Sequence, residues 1–97
     1  MIQTLIVDGE NIERQGIKRL INSYALPFQV TLASSGKMAL DFIRSNAVDL
    51  MLTDVRMPIM DGLQLAEAAL NEKANLQIVL ISGFSEFEYA KAAPHNC

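Results

Sequence analysis

The alternation of short apolar runs with helix-like patterns constrains the fold of this chain more than any other feature. Each apolar run is rich in branched residues and is bounded by polar or turn residues, as is typical of buried strands. Four strands are therefore predicted, at Leu5–Val7, Phe28–Ala33, Leu50–Leu52 and Ile78–Ile81. Strands that alternate with helices indicate a parallel sheet with helices on both faces, joined by right-handed crossovers.

Between the strands, apolar residues recur at a spacing of three to four, which predicts amphipathic helices. Helices are predicted over Asn11–Ser23, Lys37–Arg44 and Gly62–Asn71, with a fourth that starts near Ser85 and ends before Pro94. The predicted buried stripe of the first helix comprises Ile12, Gly16, Ile17, Leu20 and Ile21. That of the third comprises Leu63, Leu65, Ala66, Ala69 and Leu70. No linker or internal repeat interrupts this order, so we predict a single α/β domain over residues 1–97.

The charge and the cysteine content narrow the possible functions. Eight lysine and arginine residues against eleven aspartate and glutamate residues give a net charge of −3, which argues against nucleic acid or an anionic membrane as the main partner. A single cysteine, Cys97, allows neither an internal disulfide nor a zinc cluster. No apolar run approaches the roughly 20 residues of a membrane span, and the first residues lack the features of a signal peptide. We expect a soluble, cytoplasmic protein.

Polar residues follow three of the predicted strands, at the edge where open parallel sheets bind ligands. Asp8 follows the first strand, Asp54 the third and Ser82 the fourth. Neighbouring carboxylates repel each other unless a cation neutralises them, and oxygen ligands suit Mg²⁺. A carboxylate beside Mg²⁺ can take up a phosphoryl group as an aspartyl phosphate, whose oxygens a hydroxyl and backbone amides would hold. The alternative is that Asp8 and Asp54 only cap the helices that follow them.

Three stretches of the chain, Leu5–Asp8, Asp49–Gly62 and Ile81–Gly83, resemble the receiver domain of two-component response regulators. Within Asp49–Gly62, the acceptor aspartate, the Met-Pro pair and the Asp-Gly pair fall at the intervals of that family. Ser82–Ala90 is similar to receivers that precede AraC-type DNA-binding output domains. The resemblance runs from Thr4 to Ala93 and implies a flavodoxin-like, doubly wound sheet, here about (βα)4 with strand order 2-1-3-4.

The resemblance also implies roles for individual residues. Asp54 corresponds to the residue that takes a phosphoryl group from a sensor histidine kinase, and Ser82 to the hydroxyl that senses this group. Asp8, Asp54 and the backbone carbonyl of Arg56 correspond to the residues that hold Mg²⁺. Such a domain is a signalling module for an output domain rather than an enzyme.

The chain departs from the family pattern in two places. The family usually has a second acidic residue after the first strand, where it ligates the metal directly, and here Gly9 stands there. Glu10 follows, and its longer side chain is a possible substitute. Typical receivers also continue into a fifth strand, which carries a lysine and an aromatic residue, and a fifth helix. These have no counterpart before Cys97, so we expect a receiver that is incomplete at its C-terminal end.

Two other functions remain open. A degenerate receiver that is no longer phosphorylated would serve only as a protein-binding surface. A phosphatase of the haloacid-dehalogenase type would use Asp8 as its nucleophile, since Asp8-Gly9-Glu10 fits the signature of that family. Without a fifth strand, Ile78–Ile81 would form an exposed sheet edge, and such edges pair with other chains. We therefore also expect self-association through this edge.

Overall fold

The computed structural model describes residues 1–81, and it contains four strands and three helices in alternating order. The strands are β1 (Ile2–Val7), β2 (Phe28–Ala33), β3 (Leu50–Asp54) and β4 (Gln77–Ile81). The helices are α1 (Asn11–Ser23), α2 (Gly36–Ser45) and α3 (Gly62–Glu72). All seven were predicted from the pattern of apolar residues, with ends that differ by a few residues.

The four strands form one parallel sheet in the order β2-β1-β3-β4. This order confirms the doubly wound arrangement that the family resemblance implies. β1 and β3 occupy the centre, where Val7 pairs with Thr53. At the outer strand, Asp54 of β3 pairs with Ile81 of β4. The carboxyl ends of the two central strands therefore lie side by side.

Alternate residues of the central strands serve two different layers. Leu5, Val7 and Met51 belong to the main core cluster together with residues of α2 and α3. Ile6 is just as fully buried but lies outside that cluster, and α1 contributes Ile21 as its one buried residue. Because successive side chains of a strand point to opposite faces, one face of the sheet carries α2 and α3 and the other carries α1.

The predicted stripe of α1 was wrong in part. Ile12 and Leu20 are 85% and 58% exposed in the described part of the chain, whereas Ile21 is buried and Ile17 half-buried. Residues 12, 16 and 20 form one row along the helix, and residues 13, 17 and 21 form the adjacent row. The second row faces the sheet, and it carries Glu13 at its N-terminal end.

The stripe of α3 needed the same correction. Leu65 and Ala69 are fully buried, but Leu63 and Leu70 are 59% and 42% exposed. The start of α3 is defined by two hydrogen bonds. Asp61 accepts from the backbone N–H of Gln64, and the side chain of Gln64 accepts in return from the N–H of Asp61, which makes a capping box.

Several expectations lie outside the described residues 1–81. These are the helix near Ser85, its end before Pro94, the sensing hydroxyl of Ser82 and the incomplete C-terminal end. Self-association through the edge of β4 also stays a prediction, because it depends on residues outside 1–81. Within residues 1–81, no helix is long and apolar enough to cross a membrane.

Gly62 and Gly16 give opposite predictions for substitution by alanine. A Cβ atom at Gly62 would clash with the carbonyl oxygen of Asp54 and lie 2.9 Å from Cα of Val55, both rigid backbone atoms. We expect Gly62→Ala to lower the free energy of unfolding by about 1–3 kcal/mol. A Cβ at Gly16, inside α1, would meet no atom within 4 Å. Gly16→Ala should therefore raise the stability by about 0.5–1 kcal/mol, as measured by urea denaturation. Equal effects of the two substitutions would contradict this account.

Candidate functional site

Asp8 and Asp54 meet at the carboxyl edge of the sheet. Val7 pairs with Thr53, so Asp8, the first residue after β1, lies beside Asp54, the last residue of β3. Asp8 is 0% exposed and Asp54 is 5% exposed. By the alternation along the strands, Asp8 continues the row of Ile6 and Asp54 the row of Leu52, which is the face that carries α1. The two aspartates that the sequence predicted as a pair are thus brought together.

Neither aspartate acts as the cap of the helix that follows it. The N-cap of α1 is Glu10 and that of α3 is Asp61. Asp8 instead accepts a hydrogen bond at Oδ1 from the N–H of Glu10, at 2.8 Å. Asp54 accepts a long one at Oδ1 from the N–H of Arg56, at 3.4 Å. The helix-cap alternative therefore does not account for the pair.

A third carboxylate, that of Glu13, completes the cluster. Carboxylate oxygens of Asp8, Glu13 and Asp54 all lie within 4.8 Å of one another. The sequence analysis missed Glu13, although a signal was present. Glu13, Ile17 and Ile21 stand four residues apart on one row of α1, and a helix that follows a strand begins at the edge where the strand ends.

The structure places the remaining predicted site residues as follows. Glu10 is exposed at the N-cap of α1, and its carboxylate is not part of the cluster. Arg56 is exposed in the loop after β3 and reaches Asp54 through its backbone N–H. Gly9 is exposed, and a Cβ atom there would meet only the carbonyl oxygen of Ser34, at 4.0 Å. Ser82 lies outside the described residues.

Burial dominates the electrostatics of Asp8. Its Oδ2 is buried, and no group in residues 1–81 donates a hydrogen bond to it. The pKa of Asp8 is raised to about 6, chiefly by burial and in part by the neighbouring Glu13 carboxylate, whereas the N–H of Glu10 and the charge of Arg14 oppose the shift. Arg14 does not neutralise the carboxylate directly, because its guanidinium donates to the backbone carbonyl of Asp8 at 2.6 Å and to Asn11 Oδ1 at 3.2 Å.

The donor set fits a hard divalent cation. Each pair of ionised carboxylates at this separation repels by about 3 kcal/mol at an effective dielectric constant near 20. The cluster offers only oxygen ligands, which Mg²⁺ prefers. The buried Oδ2 of Asp8 has a lone pair with no partner among the described residues. A magnesium ion would satisfy this oxygen and cancel the repulsion, so the residues present suit the metal.

Comparison with known proteins agrees with this geometry. A family model described as the response regulator receiver domain matches residues 4–95. The transcriptional regulatory protein HptR of Staphylococcus aureus is 35% identical over 95 residues, which cover 95% of this chain and 36% of HptR. The chain therefore spans about a third of the length of that curated relative.

Solved structures give the same result. A two-component transcriptional regulator AraC from Clostridium phytofermentans is 36% identical, with a TM-score of 0.78, over 95% of this chain and 75% of that one. The response regulator TrrA from Thermotoga maritima, solved with Mg²⁺ and BeF, is 27% identical, with a TM-score of 0.79, over 97% of this chain and 83% of that one. TrrA has also been solved in complex with the histidine kinase ThkA.

The raised pKa of Asp8 predicts how stability depends on pH in the absence of metal. A carboxyl group whose pKa is higher in the folded than in the unfolded state stabilises the fold below its ordinary pKa near 4. That contribution is lost as the pH rises through about 6. Asp8→Asn keeps the side chain neutral at every pH. In chelator at pH 7.5 its free energy of unfolding, measured by urea denaturation, should therefore exceed that of the natural protein by up to about 3 kcal/mol.

At pH 3 the difference between Asp8→Asn and the natural protein should largely disappear, because Asp8 is then mostly protonated in both the folded and the unfolded state. Glu67→Gln, an exposed change on α3, serves as the control and should show no such pH dependence. If Asp8→Asn proves less stable than the natural protein at both pH values, the metal-free fold stabilises the ionised Asp8 carboxylate, and the prediction is wrong.

Proposed function

Because the chain belongs to the receiver domains of response regulators, we propose that it takes up a phosphoryl group on Asp54 from a sensor histidine kinase in a Mg²⁺-dependent reaction. One observation carries this proposal. Asp54 is the last residue of a central strand and is 5% exposed, and its carboxylate lies within 4.8 Å of that of Asp8, which would hold the metal with it. The motif around Asp54 is also the most specific in the sequence.

The proposed transfer moves one phosphoryl group between two side chains. A carboxylate oxygen of Asp54 attacks the phosphorus of a phosphohistidine, and an O–P bond forms while the P–N bond breaks. The electron pair of the P–N bond returns to the imidazole nitrogen, and Asp54 becomes an acyl phosphate. Magnesium, when bound, supplies positive charge to the phosphoryl oxygens.

The residues of this chain that would hold the metal are Asp8, Asp54 and the backbone carbonyl of Arg56. The N–H of Arg56 donates a long hydrogen bond to Asp54 Oδ1, and we propose that it remains a donor to the Asp54 carboxylate during the reaction. The hydroxyl of Ser82 is proposed to sense the phosphoryl group, since Ile81 directly before it pairs with Asp54.

The partners follow from the same proposal. TrrA, a relative in fold and sequence, has been solved with a histidine kinase, and HptR is a transcriptional regulator. We propose a sensor histidine kinase as the phosphoryl donor, signal output to a transcription-regulating domain and a cytoplasmic location. Direct nucleic-acid binding by this segment is not proposed, because its net charge is −3.

A degenerate receiver is the second candidate. Gly9 favours it, because this exposed position offers no carboxylate where the family has a metal ligand. A phosphatase of the haloacid-dehalogenase type is a weaker alternative, in which the covalent phosphoryl group would sit on Asp8. One labelling experiment separates these possibilities.

We expect acetyl phosphate and Mg²⁺ to label the natural protein on Asp54, with the site located by mass spectrometry. Asp54→Asn should abolish the label, because an amide oxygen is too weak a nucleophile. Asp41→Asn changes an exposed carboxylate on α2 that pairs with Lys37 and Arg44, and it should label as the natural protein does. Label that persists in Asp54→Asn and maps to Asp8 would overturn the assignment. If no label appears at any magnesium concentration, the result would favour a degenerate receiver that is not phosphorylated.

A further inference from the structure

We infer that Glu13, on the first turn of α1, supplies the acidic metal ligand that Gly9 cannot provide. The inference rests on the proposed function, since it concerns the magnesium site of the same acceptor residue. It replaces Glu10, the substitute that the sequence suggested, with a residue at a position that the resemblance assigns no role. Three observations carry it.

The first observation is position. Glu13 shares the sheet-facing row of α1 with Ile17 and Ile21, of which Ile21 is buried. Asp8 and Asp54 lie on the same face of the sheet, so the helix brings the third carboxylate to within 4.8 Å of theirs. The ligands of an octahedral Mg²⁺ lie at about 2.0–2.1 Å from the ion, so opposite ligands are about 4.2 Å apart. The 4.8 Å span of the carboxylate oxygens exceeds this distance by well under 1 Å.

The second observation is the buried oxygen of Asp8. The carboxylate of Asp8 belongs to the cluster. The residue is 0% exposed, and its Oδ2 has no hydrogen-bond partner among residues 1–81. An unsatisfied buried carboxylate oxygen costs free energy. A cation shared with Glu13 removes this cost.

The third observation concerns the helix end. A glutamate three residues into a helix commonly accepts from the N–H of the N-cap residue. Here the N–H of the N-cap residue Glu10 donates to Asp8 Oδ1 instead, at 2.8 Å. The carboxylate of Glu13 lies beside those of Asp8 and Asp54.

Binding of Mg²⁺ alone tests the inference without any phosphoryl transfer. The chain contains no tryptophan, so calorimetric titration with MgCl₂ and competition with Mn²⁺ followed by electron paramagnetic resonance are suitable. Glu13→Gln should weaken Mg²⁺ binding at least 10-fold, within the roughly 10–100-fold range that loss of a metal-site partner brings. Glu10→Gln is the matched control and should leave the affinity unchanged.

Stability provides a readout that a purely structural role for Glu13 would not produce. In chelator, Glu13→Gln should raise the melting temperature, because one of three repelling charges is removed. The stabilisation gained on adding Mg²⁺ should fall in the same variant, because it depends on the ratio of metal concentration to Kd. If Glu13 only supported the packing of α1, the melting temperature in chelator would fall. Glu13→Ala gives a second variant with the same expected pattern, since alanine suits a helix.

The decisive test restores a carboxylate at position 9. A side chain at Gly9 has room, because its Cβ would meet only Ser34 carbonyl oxygen at 4.0 Å. Adding Gly9→Asp to Glu13→Gln should recover the greater part of the lost Mg²⁺ affinity. Gly9→Asp alone should bind Mg²⁺ more tightly than the natural protein and be less stable in chelator, since it brings a fourth carboxylate to the cluster.

The outcomes separate this inference from the proposed function. If the natural protein binds Mg²⁺ and is labelled on Asp54, but Glu13→Gln and Glu13→Ala bind Mg²⁺ as tightly, the role of Glu13 is refuted and the receiver function stands. Failure of Gly9→Asp to recover the affinity lost in Glu13→Gln also refutes it. If the natural protein neither binds Mg²⁺ nor labels on Asp54, the proposed function falls and this inference falls with it.

Discussion

The parallel register of β1 and β3 decides where the charged groups of this protein meet. Because Val7 pairs with Thr53, Asp8 and Asp54 are neighbours at the carboxyl edge of the sheet. Both are buried, and Glu13 joins them within 4.8 Å. Burying carboxylates this close together opposes folding through desolvation and through mutual repulsion. The apolar core under α2 and α3, with Leu5, Val7 and Met51 fully buried, provides the stability that lets the sheet hold them.

Two helices begin at this cluster, and both starts are tied to the aspartates. The guanidinium of Arg14 donates to the carbonyl of Asp8, which anchors the first turn of α1 to the end of β1. Gly62 lets α3 start against the backbone of Asp54, and its N–H donates to the carbonyl of Val55 at 2.8 Å. A change of charge or size at Asp54 therefore acts directly on rigid elements, because close-packed backbone transmits displacement rather than absorbing it.

The architecture could be predicted from the sequence because runs of branched apolar residues and helical spacing are local signals. Which row of a helix faces the sheet is not local. In α1, residues 12, 16 and 20 are as apolar as residues 13, 17 and 21, yet the row that begins with Glu13 packs inward. A charged residue normally marks the solvent side. That rule would place Glu13 on the solvent side, but its carboxylate lies at the carboxyl edge of the sheet instead. Asp8 and Asp54 were predictable because each stands at the carboxyl end of an apolar run, and the family resemblance supplied the strand order that makes them neighbours.

The N-terminus of α1 explains how the fold tolerates a third carboxylate there. The first turn of a helix carries about half a positive elementary charge, worth roughly 0.3–1 kcal/mol to a nearby anion. Glu13 is the acidic residue of that first turn. Asp8 accepts a hydrogen bond directly from the N–H of Glu10 at the N-cap. Two of the three carboxylates therefore lie beside the positive end of the helix dipole. This compensation is partial, because it falls short of the repulsion between even one pair of ionised carboxylates. The repulsion that remains therefore favours the binding of a cation at the cluster.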